Sequence, residues 1–313
     1  MRAATIRDGE LLVEEHADPV PGVGQVLVRV RAAGVNGADM LQRRGRYPAP
    51  PGSPQDIPGL ELAGEVEALG EGADRFSEGD RVMGIVGGGG QAELAVVHER
   101  QLMPVPDAVA FPDAGGVPEV FTTAHDAIFT RAGLRPGERL LVHGAAGGVG
   151  TAAVQLGHLL GAHVTATVRN PDARDRVAGL GADEVREPEG FDEHGPFDVI
   201  LELVGAPNLA ANVKSLAGEG RIVVIGIGAG AKAELNLAAL MAKRGQIMAS
   251  TLRARPLEQK ASTARAMERE VLPWFERGDL RVPVAETFAL DDVAAAYDHF
   301  AAGGKLGKII LTP

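Results

Sequence analysis

The 313-residue chain contains no cysteine. Disulfides, thiol nucleophiles and thiolate metal ligands are thereby excluded together, while the redox state of the compartment is left open. The 8 histidines are scattered and form no HExxH or other close ligand pattern, so no metal site is expected. No stretch approaches the roughly 18 consecutive apolar residues of a transmembrane helix, and no membrane association is expected. Clustered Lys and Arg are missing too. With 31 basic against 42 acidic residues the net charge is −11, which argues against a nucleic-acid partner and is read as solubility. Met1-Arg-Ala-Ala-Thr-Ile6 runs directly into Arg7, Asp8 and Glu10 without the apolar core of a signal peptide, so a cytoplasmic chain is expected.

What is present has a clear organisation. A short apolar run (Leu140, Leu141, Val142) leads into His143-Gly-Ala-Ala-Gly-Gly-Val-Gly150, and apolar residues at helical spacing follow (Val149, Ala152, Ala153, Leu156, Leu159, Leu160). This reads as strand, phosphate loop, helix. Glycine serves here because the backbone must turn sharply and let a pyrophosphate approach bare N–H groups at a helix start. The register is Ala145-x-Gly147-x-x-Gly150, through Gly148 and Val149, with alanine in place of the usual first glycine. Alone, such a run also fits a tight turn in some other α/β protein, so its surroundings have to decide.

Those surroundings alternate between strand and helix. Strands are expected at 162–168, near Glu184-Val185, at 197–203, 221–227 and 246–251, with helices at 172–180, 207–216 and 236–243. Together with the opening strand they make six parallel strands, a full doubly wound dinucleotide fold. Residues before about 118 read instead as short strands punctuated by Gly and Pro, a β-rich domain with a partly closed sheet. Arg46–Gly59 is a proline-rich loop, Gly87–Gly90 a hinge or turn, and 257–278 a helix. Because 290–313 does not extend the doubly wound pattern, the expected domains are 1–118 with 254–313, and an inserted nucleotide domain at 119–253.

An acid at the end of the second strand would take the ribose hydroxyls of NAD. This chain has Arg169-Asn170 there, and a cation suits a 2′-phosphate, so NADPH is expected. Arg174, one helical turn later, is a second candidate. The alternative for both arginines is a solvated surface role.

Eight motifs in order resemble the zinc-free quinone oxidoreductase (zeta-crystallin-like) branch of the medium-chain dehydrogenase/reductase superfamily. They include Ala32-Ala-Gly-Val-Asn-Gly-Ala-Asp39, Tyr47-Pro-Ala-Pro50, Pro58-Gly-Leu-Glu-Leu-Ala-Gly64, Pro118-Glu-Val-Phe-Thr-Thr-Ala124, Val142–Gly150, Ser250-Thr-Leu-Arg-Ala-Arg255 and Gly307-Lys-Ile-Ile-Leu311. The likeness implies a GroES-like catalytic domain carrying an inserted Rossmann domain, NADPH as cofactor, a quinone or enone as substrate, and a homodimer formed through strand 246–251. It further implies Asn36 beside the nicotinamide ribose, Asp39 as the acid that follows it in the substrate cleft, Tyr47 over the nicotinamide ring and Thr123 near that ring. Val204, Gly226 and Ile227 lie where the family's backbone closes on the cofactor. On local grounds alone, Asn36 or Asp39 could equally cap a helix at 37–44, and Tyr47 could be a half-exposed loop aromatic.

Zinc-dependent relatives carry a Gly-His-Glu motif where this chain reads Gly59-Leu60-Glu61. Reduction of a quinone or enone needs far less Lewis-acid help than alcohol oxidation. Glu202, where an aspartate is common, is read as structural; the departures that bear on the pocket are Gln91 where a tyrosine is common and His125 where a Trp or Tyr is common. With aromatic content of 4%, they leave the acceptor open between a quinone, an enoyl or alkenal double bond, and a non-catalytic NADPH-binding role.

Overall fold

Six strands, Arg139–Val142, His163–Thr167, Glu184–Arg186, Phe197–Glu202, Leu216–Val224 and Gln246–Ala249, form one sheet in which every pairing is parallel. Counted along this part of the chain their spatial order is 3-2-1-4-5-6, the doubly wound arrangement the sequence predicts. Leu140, Leu141, Val142, Val199, Ile200, Leu201, Ile222 and Val223 are fully buried. Such continuous apolar runs suit strands covered on both faces. The strand Gln246–Ala249 lies at one edge, as expected.

The remaining strands are mostly antiparallel. The long strand Gln25–Val35 buries alternate residues at first and pairs with Glu61–Leu69, Leu94–His98 and the C-terminal strand Lys308–Thr312. Val28, Val30, Leu62, Val66, Val82 and Leu102 fill the core of this sheet. A second cluster packs Val35, Met40, Ile309 and Leu311 against Val293, Ala296 and Tyr297 of the helix Val293–Ala302.

The computed structural model describes residues 1–313. It divides into a first unit, Met1–Thr122 with Leu252–Gly303 and Lys308–Pro313, and a second unit, Thr123–Thr251 with Gly304–Gly307. The division falls inside the helix Pro118–His125.

Two local expectations need correcting. The expected helix at 257–278 is two helices, Leu257–Glu270 and Leu272–Glu276. Pro273 lacks the N–H that a continuous helix would need there. Of the hinge or turn expected at Gly87–Gly90 the structure shows a bend, not a hinge: all four residues are buried against the proline-rich loop. A Cβ on Gly87 would meet Ser53 Oγ at 2.1 Å, and one on Gly90 would meet the Glu61 carbonyl oxygen at 2.7 Å. The glycines permit close packing of backbone against loop.

Candidate active site

In the second unit the strand Arg139–Val142 delivers the chain to the glycine loop. Gly144 turns at φ 60°, Ala145 N–H donates to the Thr167 carbonyl at 3.1 Å, and Gly147 N–H closes onto the Gly144 carbonyl at 3.0 Å. The helix Gly148–Leu160 starts at once, with no side chain capping it and no acid in its first turn. Gly147, Gly148 and Val149 are partly open to solvent, so the first N–H groups of a 13-residue helix face outward at its positive end. Gly150 serves packing. A Cβ there would meet Ala145 Cα and the Gly144 oxygen, both at 2.6 Å.

The three polar candidates at the end of the second strand separate clearly. Arg169 is exposed and makes no ion pair or hydrogen bond within the protein. Arg174 is engaged, donating to the Val168 carbonyl at 3.3 Å and to Glu187 at 3.0 Å. Asn170 accepts from Asp172 N–H and donates to the Gly304 carbonyl, which gives it a structural role at the turn.

On the far side of the same sheet end, Glu202 organises the loop after its strand. Its Oε1 accepts from the N–H groups of Val204 at 2.6 Å and Gly205 at 2.8 Å, and its Oε2 accepts from Asn212 Nδ2 at 2.8 Å. Asn212 in turn accepts at 2.8 Å from His143 Nε2, whose ring also meets Thr167 Oγ1 at 3.1 Å. Burial lowers the His143 pKa, with Glu202 and Asn212 opposing, so a neutral imidazole sits beneath the glycine loop. Gly226 packs so closely that a Cβ would lie 2.1 Å from the Leu203 oxygen, and Ile227 leaves 52% of its surface exposed.

In the first unit Asn36 and Asp39 flank the start of the helix Gly37–Arg43. Asp39 is fully buried; its two oxygens accept from Asn36 N–H at 2.8 Å and Gly59 N–H at 3.1 Å. Burial pushes its pKa up to about 7, opposed by those two N–H groups and by Lys308 and Arg253. Asp39 therefore holds two loops together and is closed off from solvent. Asn36 is 8% exposed and fixed at both ends of its amide. Its Nδ2 donates to Glu61 Oε1 at 2.9 Å, and its Oδ1 accepts from Lys308 Nζ at 2.7 Å.

Lys308 and Glu61 form a buried ion pair at 2.6 Å, with side chains 3% and 0% exposed. Lys308 Nζ has a third acceptor in the Val35 carbonyl at 3.2 Å, and Glu61 Oε2 takes the Glu119 N–H at 2.8 Å. The pair needs Gly34, since a Cβ there would lie 2.1 Å from Glu61 Oε1. Sequence reasoning quoted both residues inside motifs without assigning them a role. Each is a single charge embedded in an apolar run, Leu60-Glu61-Leu62 and Lys308-Ile309-Ile310, and two such charges of opposite sign are the signal that would have paired them.

Arg253 was likewise missed. It is 2% exposed and donates to the carbonyls of Gly87 at 2.8 Å and Tyr47 at 3.0 Å and to Gln42 Oε1. Its guanidinium carbon lies 5.1 Å from the centroid of the Tyr47 ring. Tyr47 is half-buried and its hydroxyl makes no hydrogen bond within the protein. Burial raises the phenol's pKa, with Arg253 opposing, so it stays protonated at neutral pH. Gln91 is fully buried and accepts from Tyr297 at 2.9 Å. Thr123, in the second unit, is buried in the helix Pro118–His125.

The doubly wound sheet with an open glycine loop, together with the GroES-like sheet, defines an oxidoreductase of the medium-chain type. Residues 180–311 match the family described as zinc-binding dehydrogenase, and residues 22–107 the alcohol dehydrogenase GroES-like domain. Human quinone oxidoreductase is 32% identical over 306 residues, covering 94% of this chain and 91% of that protein. The spectinabilin polyketide synthase system protein NorB of Streptomyces orinoci is 37% identical over 299 residues, 92% of this chain but 13% of that protein. An alcohol dehydrogenase superfamily protein from Novosphingobium aromaticivorans superposes with a TM-score of 0.87 at 29% identity, over 100% of this chain and 99% of that one. The chain belongs to the quinone oxidoreductase (zeta-crystallin-like) branch of the medium-chain dehydrogenase/reductase superfamily.

One matched family is described by zinc, and the residues here do not fit that ion. There is no cysteine, and no group of three or more His, Asp or Glu side chains is placed to hold a metal.

Proposed function

We propose that the protein is an NADPH-dependent reductase of quinones or of carbonyl-conjugated alkenes, working without zinc. The observation that carries the cofactor choice is the exposed, unpaired Arg169 at the strand end where NAD-binding chains place an acid. The glycine loop and the uncapped helix start take the pyrophosphate through N–H groups, Arg169 takes the 2′-phosphate, and Val204, Gly226 and Ile227 present backbone and an apolar surface to the nicotinamide end. When bound, NADPH supplies the hydride that reduces the acceptor.

The chain's own contribution is position and a proton. Asn36 presents an amide whose orientation is fixed by Lys308 and Glu61, for a ribose hydroxyl on the nicotinamide side. Asp39 acts through the loop backbone it ties down. Tyr47 offers a protonated phenol, whose hydroxyl has no hydrogen-bond partner within the protein, to the acceptor oxygen, and Thr123 is a further hydroxyl near the nicotinamide. A symmetric homodimer through the sheet edge at Gln246–Ala249 is part of this reading, because an apolar edge strand invites pairing. Sedimentation as a monomer at micromolar concentration would contradict the dimer.

Reduction of an enoyl or alkenal double bond is the second reading, supported by the likeness to a segment of a polyketide synthase protein. One acceptor panel separates the possibilities: quinones, enones and enoyl thioesters, each followed by NADPH absorbance. Steady consumption with quinones or simple enones supports the first reading, and consumption confined to enoyl thioesters or alkenals supports the second. Silence across the panel leaves a binding protein.

A further inference from the structure

The first unit holds a small cavity that the reading above does not use. Ile85, Met103 and Leu252 are among its apolar lining residues and Thr122, Arg255 and Lys260 among its polar ones; no acidic side chain lines it. It is partly open to solvent and about 20 Å³ in volume, so it takes the head of one small polar group whose remainder lies in the opening, and no ring.

Two of its polar groups lack partners. Thr122 is 2% exposed, and its hydroxyl makes no hydrogen bond. A buried hydroxyl left unsatisfied carries a free-energy cost that an acceptor placed in the cavity would remove. Lys260 is half-buried, and its ammonium makes no ion pair or hydrogen bond within the protein. The charge that acts on it is another cation, Arg253, and burial together with that repulsion weakens its hold on its proton. Nearby acids are committed elsewhere: Glu258 is held bidentately by Arg100, and Glu268 by Arg75 and Arg265. In a chain with 42 acidic and 31 basic residues, a half-buried ammonium without an anion is a conspicuous gap.

We infer that this cavity is an anion site, which takes a single carboxylate or phosphate group of a small molecule between the Lys260 ammonium and the Thr122 hydroxyl. Arg255, which donates to Thr263 Oγ1 at 3.4 Å, adds positive charge to the rim. A water molecule would satisfy the hydroxyl and leave the ammonium uncompensated. The site stands apart from the proposed reaction, since it needs neither cofactor nor acceptor.

The test is calorimetric titration of the full chain with sodium acetate and, separately, inorganic phosphate, at constant ionic strength held with chloride. Wild type is compared with Lys260→Met and with Thr122→Val, an exchange of similar shape that keeps the fold, verified by circular dichroism. Saturable binding of acetate or phosphate is expected, weakened roughly ten- to a hundredfold by Lys260→Met and several-fold by Thr122→Val, as loss of a charged and a neutral hydrogen bond implies. Acetate binding alone marks a carboxylate site, and phosphate binding alone a phosphate site. Absence of saturable binding to wild type, or binding that Lys260→Met leaves unchanged, overturns the inference.

Discussion

Replacing Lys308 by methionine breaks the buried ion pair with Glu61. The change keeps the length of the stem and removes a charge that satisfies three acceptors: Glu61 at 2.6 Å, Asn36 at 2.7 Å and the Val35 carbonyl at 3.2 Å. Glu61 would then be a fully buried carboxylate holding only the N–H donors of Asn36 and Glu119. Breaking a buried pair by removing one partner costs about 3–5 kcal/mol, most of it the burial of the charge left behind. Removing both charges is far milder, so Lys308→Met/Glu61→Gln should lie within about 2 kcal/mol of wild type and the two single changes should be coupled by about 2 kcal/mol or more. Denaturant unfolding followed by Trp274, the only tryptophan and a residue of the same unit, gives all three numbers. A loss below about 1 kcal/mol for Lys308→Met, or additive single changes, would refute the reasoning.

Three further outcomes follow from the same geometry. Asp39 holds its proton up to about pH 7 in the folded chain and loses it near pH 3.8 when unfolded. Its contribution to stability is therefore full below about 4 and lost as pH rises through about 7, by at most about 4 kcal/mol; unfolding of Asp39→Asn should show a flatter pH profile over that window, and identical slopes would count against it. Gly150→Ala drives a Cβ into backbone at 2.6 Å, so NADPH binding measured by cofactor fluorescence should weaken about tenfold or more, because the loop and the helix start must move apart. Tyr47→Phe should lower kcat/KM about tenfold across several acceptors while leaving NADPH affinity intact, as loss of one hydrogen bond to the acceptor implies; unchanged kinetics would remove Tyr47 from the reaction.

Much of the architecture could be read from local pattern, because a parallel sheet writes itself as apolar runs between amphipathic helices and glycine turns. The loop at Gly144–Gly150 and the edge position of Gln246–Ala249 belong to that category. What pattern does not carry is pairing over long sequence separations. Arg253 reaches Gln42, Tyr47 and Gly87, and Lys308 reaches Asn36 and Glu61. Periodicity marks such residues only as charges in unexpected company. The same blindness leaves Gly87–Gly90 open between a hinge and a turn, since four glycines look identical in sequence whether they flex or let a loop pack onto bare backbone. The separation of Arg169 from Arg174 also depends on a distant partner, Glu187, that claims one arginine and leaves the other free.

Arg169 carries the proposed preference for NADPH over NADH. With one acceptor held constant, kcat/KM is measured for NADPH and for NADH in wild type and in Arg169→Ala. The prediction is a preference for NADPH in wild type that falls roughly ten- to a hundredfold in the variant, about 1.5–3 kcal/mol, with NADH nearly unchanged. Equal losses with both cofactors, or a wild type that prefers NADH, would contradict it.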